Sequence, residues 1–163
     1  PRLGVQFRVS GSLEDVTWYG RGPGESYPDR KQSADIGRYS GTVSNQYTEY
    51  VRPQENGNKE DVRWMALYDS KGEGLLIVPE HPLAMSVSRF TAEDLDSARH
   101  LAGERRRYHR LAPREEVIVN VDYRQMGLGG ASCGPPPMDQ YILRAASVQF
   151  AYSIRPYGRT TLE

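Results

Sequence analysis

The sequence predicts an all-β fold, an antiparallel β-sandwich, and three observations carry that prediction. Apolar and polar residues alternate with period two in several separate stretches, the pattern of strands with one buried and one solvated face. Between these stretches 16 glycines and 11 prolines punctuate the chain, as the turns of many short strands require. Helix signals are confined to one segment, which disfavours an alternating βαβ architecture.

In chain order, the first strand sets Val5, Phe7 and Val9 against Gln6, Arg8 and Ser10. Trp18 to Arg30 follows, with aromatics and charges interleaved with Gly20, Gly22, Gly24, Pro23 and Pro28, and reads as a defined irregular loop whose side chains are held. Trp18 and Tyr19 are neighbours, so on extended backbone one faces the core and the other faces out. Val62 to Tyr68, Gly74 to Pro79 and Ala84 to Phe90 are further strands, the first two joined by a turn at Asp69 to Gly74. Residues 91–102 form one short helix: Thr91 is an N-cap, Glu93 and Asp94 fill the first turn, and Gly103 closes the C-terminus. Leu95, Ala98 and Leu101 or Ala102 give that helix a modest apolar face. In Glu115 to Arg124, Val117, Val119, Val121 and Tyr123 oppose Glu116, Ile118, Asn120, Asp122 and Arg124. The last strand sets Val148, Phe150, Tyr152 and Ile154 against Gln149, Ala151, Ser153 and Arg155.

At 163 residues, 37% of them hydrophobic, the chain suffices for one domain with a core, expected over 1–161. Lys plus Arg and Asp plus Glu both number 21, so no net field favours nucleic acid or an acidic membrane surface. The basic run Arg105 to Arg110 reads as a solvated strand end. No apolar run approaches a membrane span. Cys133 is the single cysteine, which leaves the compartment open. Pro1-Arg2-Leu3-Gly4-Val5 has neither initiator Met nor signal-peptide pattern, so the chain reads as a segment excised from a longer protein. Leu162-Glu163 reads as a cloning scar.

The glycines at 127, 129 and 130 let backbone approach a ligand or a neighbouring surface closely, and Pro135-Pro136-Pro137 forbids the helix that a phosphate loop needs. Glu25, Asp29, Glu55, Asp61 and Asp139 lie in or near loops, but nothing in the sequence pairs any two of them. Glu25, Asp29 and Arg30 are read first as ion pairs and hydrogen bonds that hold their loop. Tyr27, Tyr47 and Tyr50 are read as amphipathic packing residues before sugar platforms. His81, His100 and His109 lack metal-ligand spacing, and His100 suits a helix C-terminus.

Trp18 to Arg30 resembles the W-x-G-x-G-P-x-E-x-Y-x-D-R signature of the C-terminal domain of glycoside hydrolase family 2 β-galactosidases. Trp18, Gly20, Gly22, Pro23, Glu25, Tyr27, Asp29 and Arg30 carry the match. Tyr47 to Asn58 is similar to that family's Y-x-x-Y-x-x-P-x-E-N-G segment, and Phe90 to Leu95 with His100, then Gln125 to Gly134, follow in order. The resemblance implies an antiparallel β-supersandwich of the galactose-mutarotase-like type, present here in part, since the start looks like a mid-domain P-R-x-G. It implies a retaining β-galactosidase acting on terminal β-D-galactosides, whose catalytic glutamates lie in a preceding barrel domain, so no catalytic residue is assigned to this chain. This domain would complete the aglycone side of the active site through Gly129, Gly130, Ser132, Cys133 and Gly134. Many relatives carry S-W-G where this chain has Ser132-Cys133-Gly134, and a cysteine lacks the stacking surface of an indole. The barrel domain, the galactoside and further copies of the full enzyme are the implied partners. No cofactor is implied for this segment, while a divalent or monovalent cation is open in the full-length enzyme. The alternatives are a non-catalytic carbohydrate-binding or purely structural β-sandwich module.

Overall fold

The computed structural model describes residues 1–50, 54–100, 111–130 and 134–158. Its strands are β1 (Arg2–Val9), β2 (Asp15–Gly22), β3 (Asp35–Thr42), β4 (Lys59–Val62), β5 (Trp64–Tyr68), β6 (Gly74–Pro79), β7 (Leu83–Ser88), β8 (Val117–Gln125) and β9 (Tyr152–Tyr157), with helix α1 (Ala92–His100) between β7 and β8. Two antiparallel sheets form, β1-β8-β7-β4 and β3-β2-β5-β6-β9. The expected all-β sandwich is therefore the fold.

Register decides which residues meet. Phe7, Val9, Val62, Leu83, Met85, Val87, Val117, Val119 and Val121 from the first sheet face Val16, Trp18, Met65, Leu67, Leu75, Ile77 and Tyr152 from the second, in one apolar cluster. The chain passes between sheets at Arg63. Asp61 has φ +55, the Arg63 amide donates to Tyr19 O at 2.7 Å, and what reads as one strand from Val62 to Tyr68 is two.

Four further readings are corrected. Trp18 to Gly22 is not irregular loop but the second half of β2, paired to β3 from Trp18↔Tyr39 to Gly22↔Asp35. Its glycines serve close packing: a Cβ on Gly20 would meet Val62 Cα at 2.9 Å, and one on Gly22 would press into the Tyr39 ring. From Ile118 to Asp122 the second face of β8 is not solvated, and its polar residues there find partners on the flanking β1 and β7. Gln6 donates to Asn120 Oδ1 at 2.9 Å, Asn120 donates to Ser86 Oγ at 3.0 Å, and Ile118 and Asp122 are buried. Tyr123, placed with the core set, is exposed. A register shift pairs Leu3 with Arg124 but Gly4 with Asp122, leaving Tyr123 as the bulged residue with no partner opposite. The last strand begins at Tyr152 rather than Val148, since its pairing with β6 stops at Pro79↔Tyr152.

α1 starts as the sequence predicts. Asp94 N–H donates to Thr91 Oγ1 at 3.2 Å and Thr91 N–H to Asp94 Oδ2 at 2.8 Å, a reciprocal cap. The expected helix end at Leu101 and Ala102, Gly103 and the Arg105 to Arg110 run lie outside the described residues.

Candidate functional site

The site is built from the end of β2 outward. Trp18 is 2% exposed and Tyr19 38%, the division their adjacency requires. Trp18 Nε1 donates to Arg21 O at 2.9 Å. Arg21 in turn donates to Asp61 Oδ2 at 2.6 Å, Lys31 O at 3.1 Å and Ala34 O at 2.8 Å, which ties both ends of the 22–34 loop to β4. Within it, Glu25 is the hub. Its carboxylate accepts from Tyr27 Oη at 3.0 Å, from the Gly57 amide at 2.8 Å and from Tyr50 Oη. Burial and then this hydrogen bond push the Tyr50 phenol up to about 12, and burial raises that of Tyr27 further, so both remain donors.

The buried Tyr27 closes a tight turn with Arg30, N–H to carbonyl at 2.8 and 3.3 Å in the two directions. That turn thrusts Asp29 at the glycine loop. Asp29 Oδ1 accepts the Leu128 amide at 3.1 Å, Oδ2 the Gly129 amide at 2.7 Å, and Arg30 Nη2 donates to Gly129 O at 3.2 Å. The loop has no freedom to widen. Gly129 has φ +58, and a Cβ there would come 2.6 Å from Pro137 N, while Gly127 is wedged between Asp29 and Tyr141. The amides of Gly127 and Gly130 donate to Tyr141 O and Pro135 O, both at 2.9 Å.

Beside this clamp opens a cleft of about 400 Å³, with Pro28, Lys31, Glu60, Asp61, Arg124 and Tyr141 among its walls. Lys31 Nζ lies 2.9 Å from Asp61 Oδ1 and 3.2 Å from Glu60 Oε2. Burial raises the Asp61 carboxyl, but the Lys31 and Arg21 bonds outweigh it and hold the group low, whereas burial dominates at Glu60 and raises it. On the first sheet Arg2 bridges Glu55 and Asp122, the latter at 3.3 Å. Burial lifts Asp122 to about 6 against the pull of Arg2, with Glu55 and Glu60 adding to the rise. Lys59 points the other way, into the sandwich, its ammonium 5.1 Å from the Trp18 ring centroid. Burial lowers it to about 8, opposed by Glu25.

The structure thus brings Gly129, Gly130 and Gly134 together, with Gly130 and Gly134 so close that neither has room for a Cβ. Ser132 and Cys133 lie outside the described residues. Of the loop acids, Glu25, Asp29, Glu55 and Asp61 are each held by donors, and Asp139 makes an exposed ion pair with Arg144 at 3.4 Å. Among the described residues no three His, Cys, Asp or Glu side chains converge as a metal site. Sequence reasoning missed Lys31 and Tyr141. A lysine directly after the Asp29-Arg30 pair was the signal for the first, but nothing local marks the second.

All four blocks that carried the resemblance meet here. Glu25 joins the first to Tyr50 and Gly57 of the second, Asp29 joins it to the glycine loop, and Tyr47 packs on Phe90 with ring centroids 4.8 Å apart. The family described as "Beta galactosidase small chain" matches residues 1–155. Among curated proteins, a β-galactosidase of Priestia megaterium is 37% identical over 80% of this chain and 12% of its own length. A β-galactosidase of Halalkalibacterium halodurans is 32% identical over 94% of this chain and 15% of its own, and one of Kluyveromyces lactis 34% identical over 94% and 14%. The chain therefore spans only about one seventh of these relatives and, on the family match and the identities together, belongs to the β-galactosidase small-chain family.

Proposed function

We propose that this chain is the part of a family 2 retaining β-galactosidase that completes the aglycone side of the active site, within a full-length enzyme hydrolysing terminal β-D-galactosides. The observation that carries the reading is the clamped glycine loop. Family membership supplies the reaction class, and Asp29 and Arg30 fix Gly129 in the segment that leads into Ser132, Cys133 and Gly134. Those residues, with Gly129 and Gly130, are the proposed substrate contacts.

Hydrolysis with retention needs a nucleophile and an acid/base about 5–5.5 Å apart. The engagement of Glu25, Glu55, Asp29 and Asp61 in scaffold bonds supports leaving both roles to a barrel domain elsewhere in the full-length protein, the main partner of this chain alongside further enzyme copies. A carbohydrate-binding role without catalysis is the second reading, favoured by the polar, tyrosine-lined cleft next to Tyr141.

The test is hydrolysis of o-nitrophenyl β-D-galactoside. The full-length protein turns it over, and the 163-residue chain alone does not; turnover by the isolated chain above a protein-free blank would overthrow the fragment reading. Titration of the isolated chain with lactose, followed by Trp fluorescence, separates the second reading: saturable binding supports a binding module.

A further inference from the structure

The glycine loop has almost nothing of its own to hold it. Residues 127, 129 and 130 lack side chains, so its place in space is set by what its peptide groups bond to. Two of its amides bond to the 135–141 segment that follows it in the chain, at Tyr141 O and Pro135 O. The contacts that reach it from elsewhere in the fold, 99 and 100 residues away in sequence, come from Asp29 and Arg30. They grip Gly129 on both sides: a carboxylate on its N–H and that of Leu128, a guanidinium on its carbonyl. Bonds to charged groups are the stronger kind, and two adjacent amides on one carboxylate fix direction as well as distance.

The grip is itself anchored. Asp29 sits in the two-way bridge between Tyr27 and Arg30; Tyr27 is buried and its hydroxyl is on Glu25, which holds Gly57 and Tyr50. We infer that Asp29 and Arg30 are positioning residues for the aglycone side of the site, transmitting the rigidity of the sandwich to the Gly129 loop. The inference rests on the reading of that loop as a substrate contact. Asp29 touches no substrate; it acts by where it holds backbone.

Two readouts test it in the full-length protein. The first is amide exchange of the peptide spanning Leu128 and Gly129, which needs no activity. Asp29→Ala speeds it at least tenfold, Asp29→Asn less, because the amide side chain keeps one acceptor but loses the charge. The second is selectivity: the ratio of kcat/KM for lactose to that for o-nitrophenyl β-D-galactoside falls roughly tenfold in Asp29→Ala, since a displaced loop affects the sugar aglycone most. A purely structural role lowers both substrates in proportion. Arg30→Ala removes the exposed bond to Gly129 O and moves both readouts in the same direction, so it decides the matter if Asp29→Ala fails to fold. Unchanged exchange, or an unchanged ratio with faster exchange, overturns the inference. A wild-type protein that hydrolyses neither galactoside sinks the enzymatic reading instead, and the exchange experiment still judges the clamp.

Discussion

Two buried ionisable groups in the same sheet, Asp122 on β8 and Lys59 on β4, set opposite pH responses. Asp122 is raised from 3.8 to about 6, so between those values the folded chain keeps a proton that the unfolded chain releases. Its contribution therefore favours the fold at low pH and is lost as pH rises through about 6, a swing on the order of 3 kcal/mol. Urea midpoints at pH 4.5 and 7 should show the upper part of that swing, about 2 kcal/mol, flattened in Asp122→Asn. Lys59 is lowered from 10.5 to about 8, so the unfolded chain holds the extra proton and folding is penalised below pH 8, with relief as pH climbs towards 10.5. Lys59→Met should raise stability at pH 7 by about 1–2 kcal/mol, the ring attraction of Trp18 offsetting part of the gain. No change, or destabilisation, in a thermal melt would mean that Lys59 is held by more than that ring.

At the scale of elements, the cap of α1 gives a local prediction. Thr91→Ala loses the hydroxyl that accepts the Asp94 amide and should cost about 1 kcal/mol in chemical denaturation, because Arg114 still holds Asp94 through two bonds of 2.7 and 2.8 Å. That helix start was legible because caps are written in adjacent residues. So were β1 and the inward valines of β8, whose alternation matches a sheet with one dry face, and β6, a short apolar run following a turn. β3 was not legible: Asp35–Thr42 is a mostly polar edge strand with two glycines, and it forms because β2 offers it a full ladder. The outer face of β8 was misread for a related reason, since burial of Asn120 and Asp122 depends on Gln6, Ser86 and Arg2 from three other places in the chain. The glycine loop could be picked out by composition, whereas its clamp by Asp29 is a contact across 100 residues that no local pattern contains.

At the scale of the whole chain, the sheets are open among the described residues, with β1, β3, β4 and β9 at their edges. Val5 and Ile154 pair with the core-facing Val121 and Ile77, yet are 41% and 51% exposed. Unpaired backbone beside exposed inward apolar groups invites strand addition, so the isolated 163-residue chain should self-associate with rising concentration. Size-exclusion profiles that stay monomeric into the hundreds of micromolar would contradict this. The Glu25 hub, the Asp29 clamp and the Tyr47–Phe90 contact, finally, together make the four blocks a single mutational unit. Once Glu25→Gln has weakened the hub, removing the Tyr50 hydroxyl has little left to break, so the double variant should cost less than the sum of the single variants. A change tolerated in one block then depends on the state of the other three, and substitutions transplanted from a relative one at a time should fail where the same set moved together succeeds.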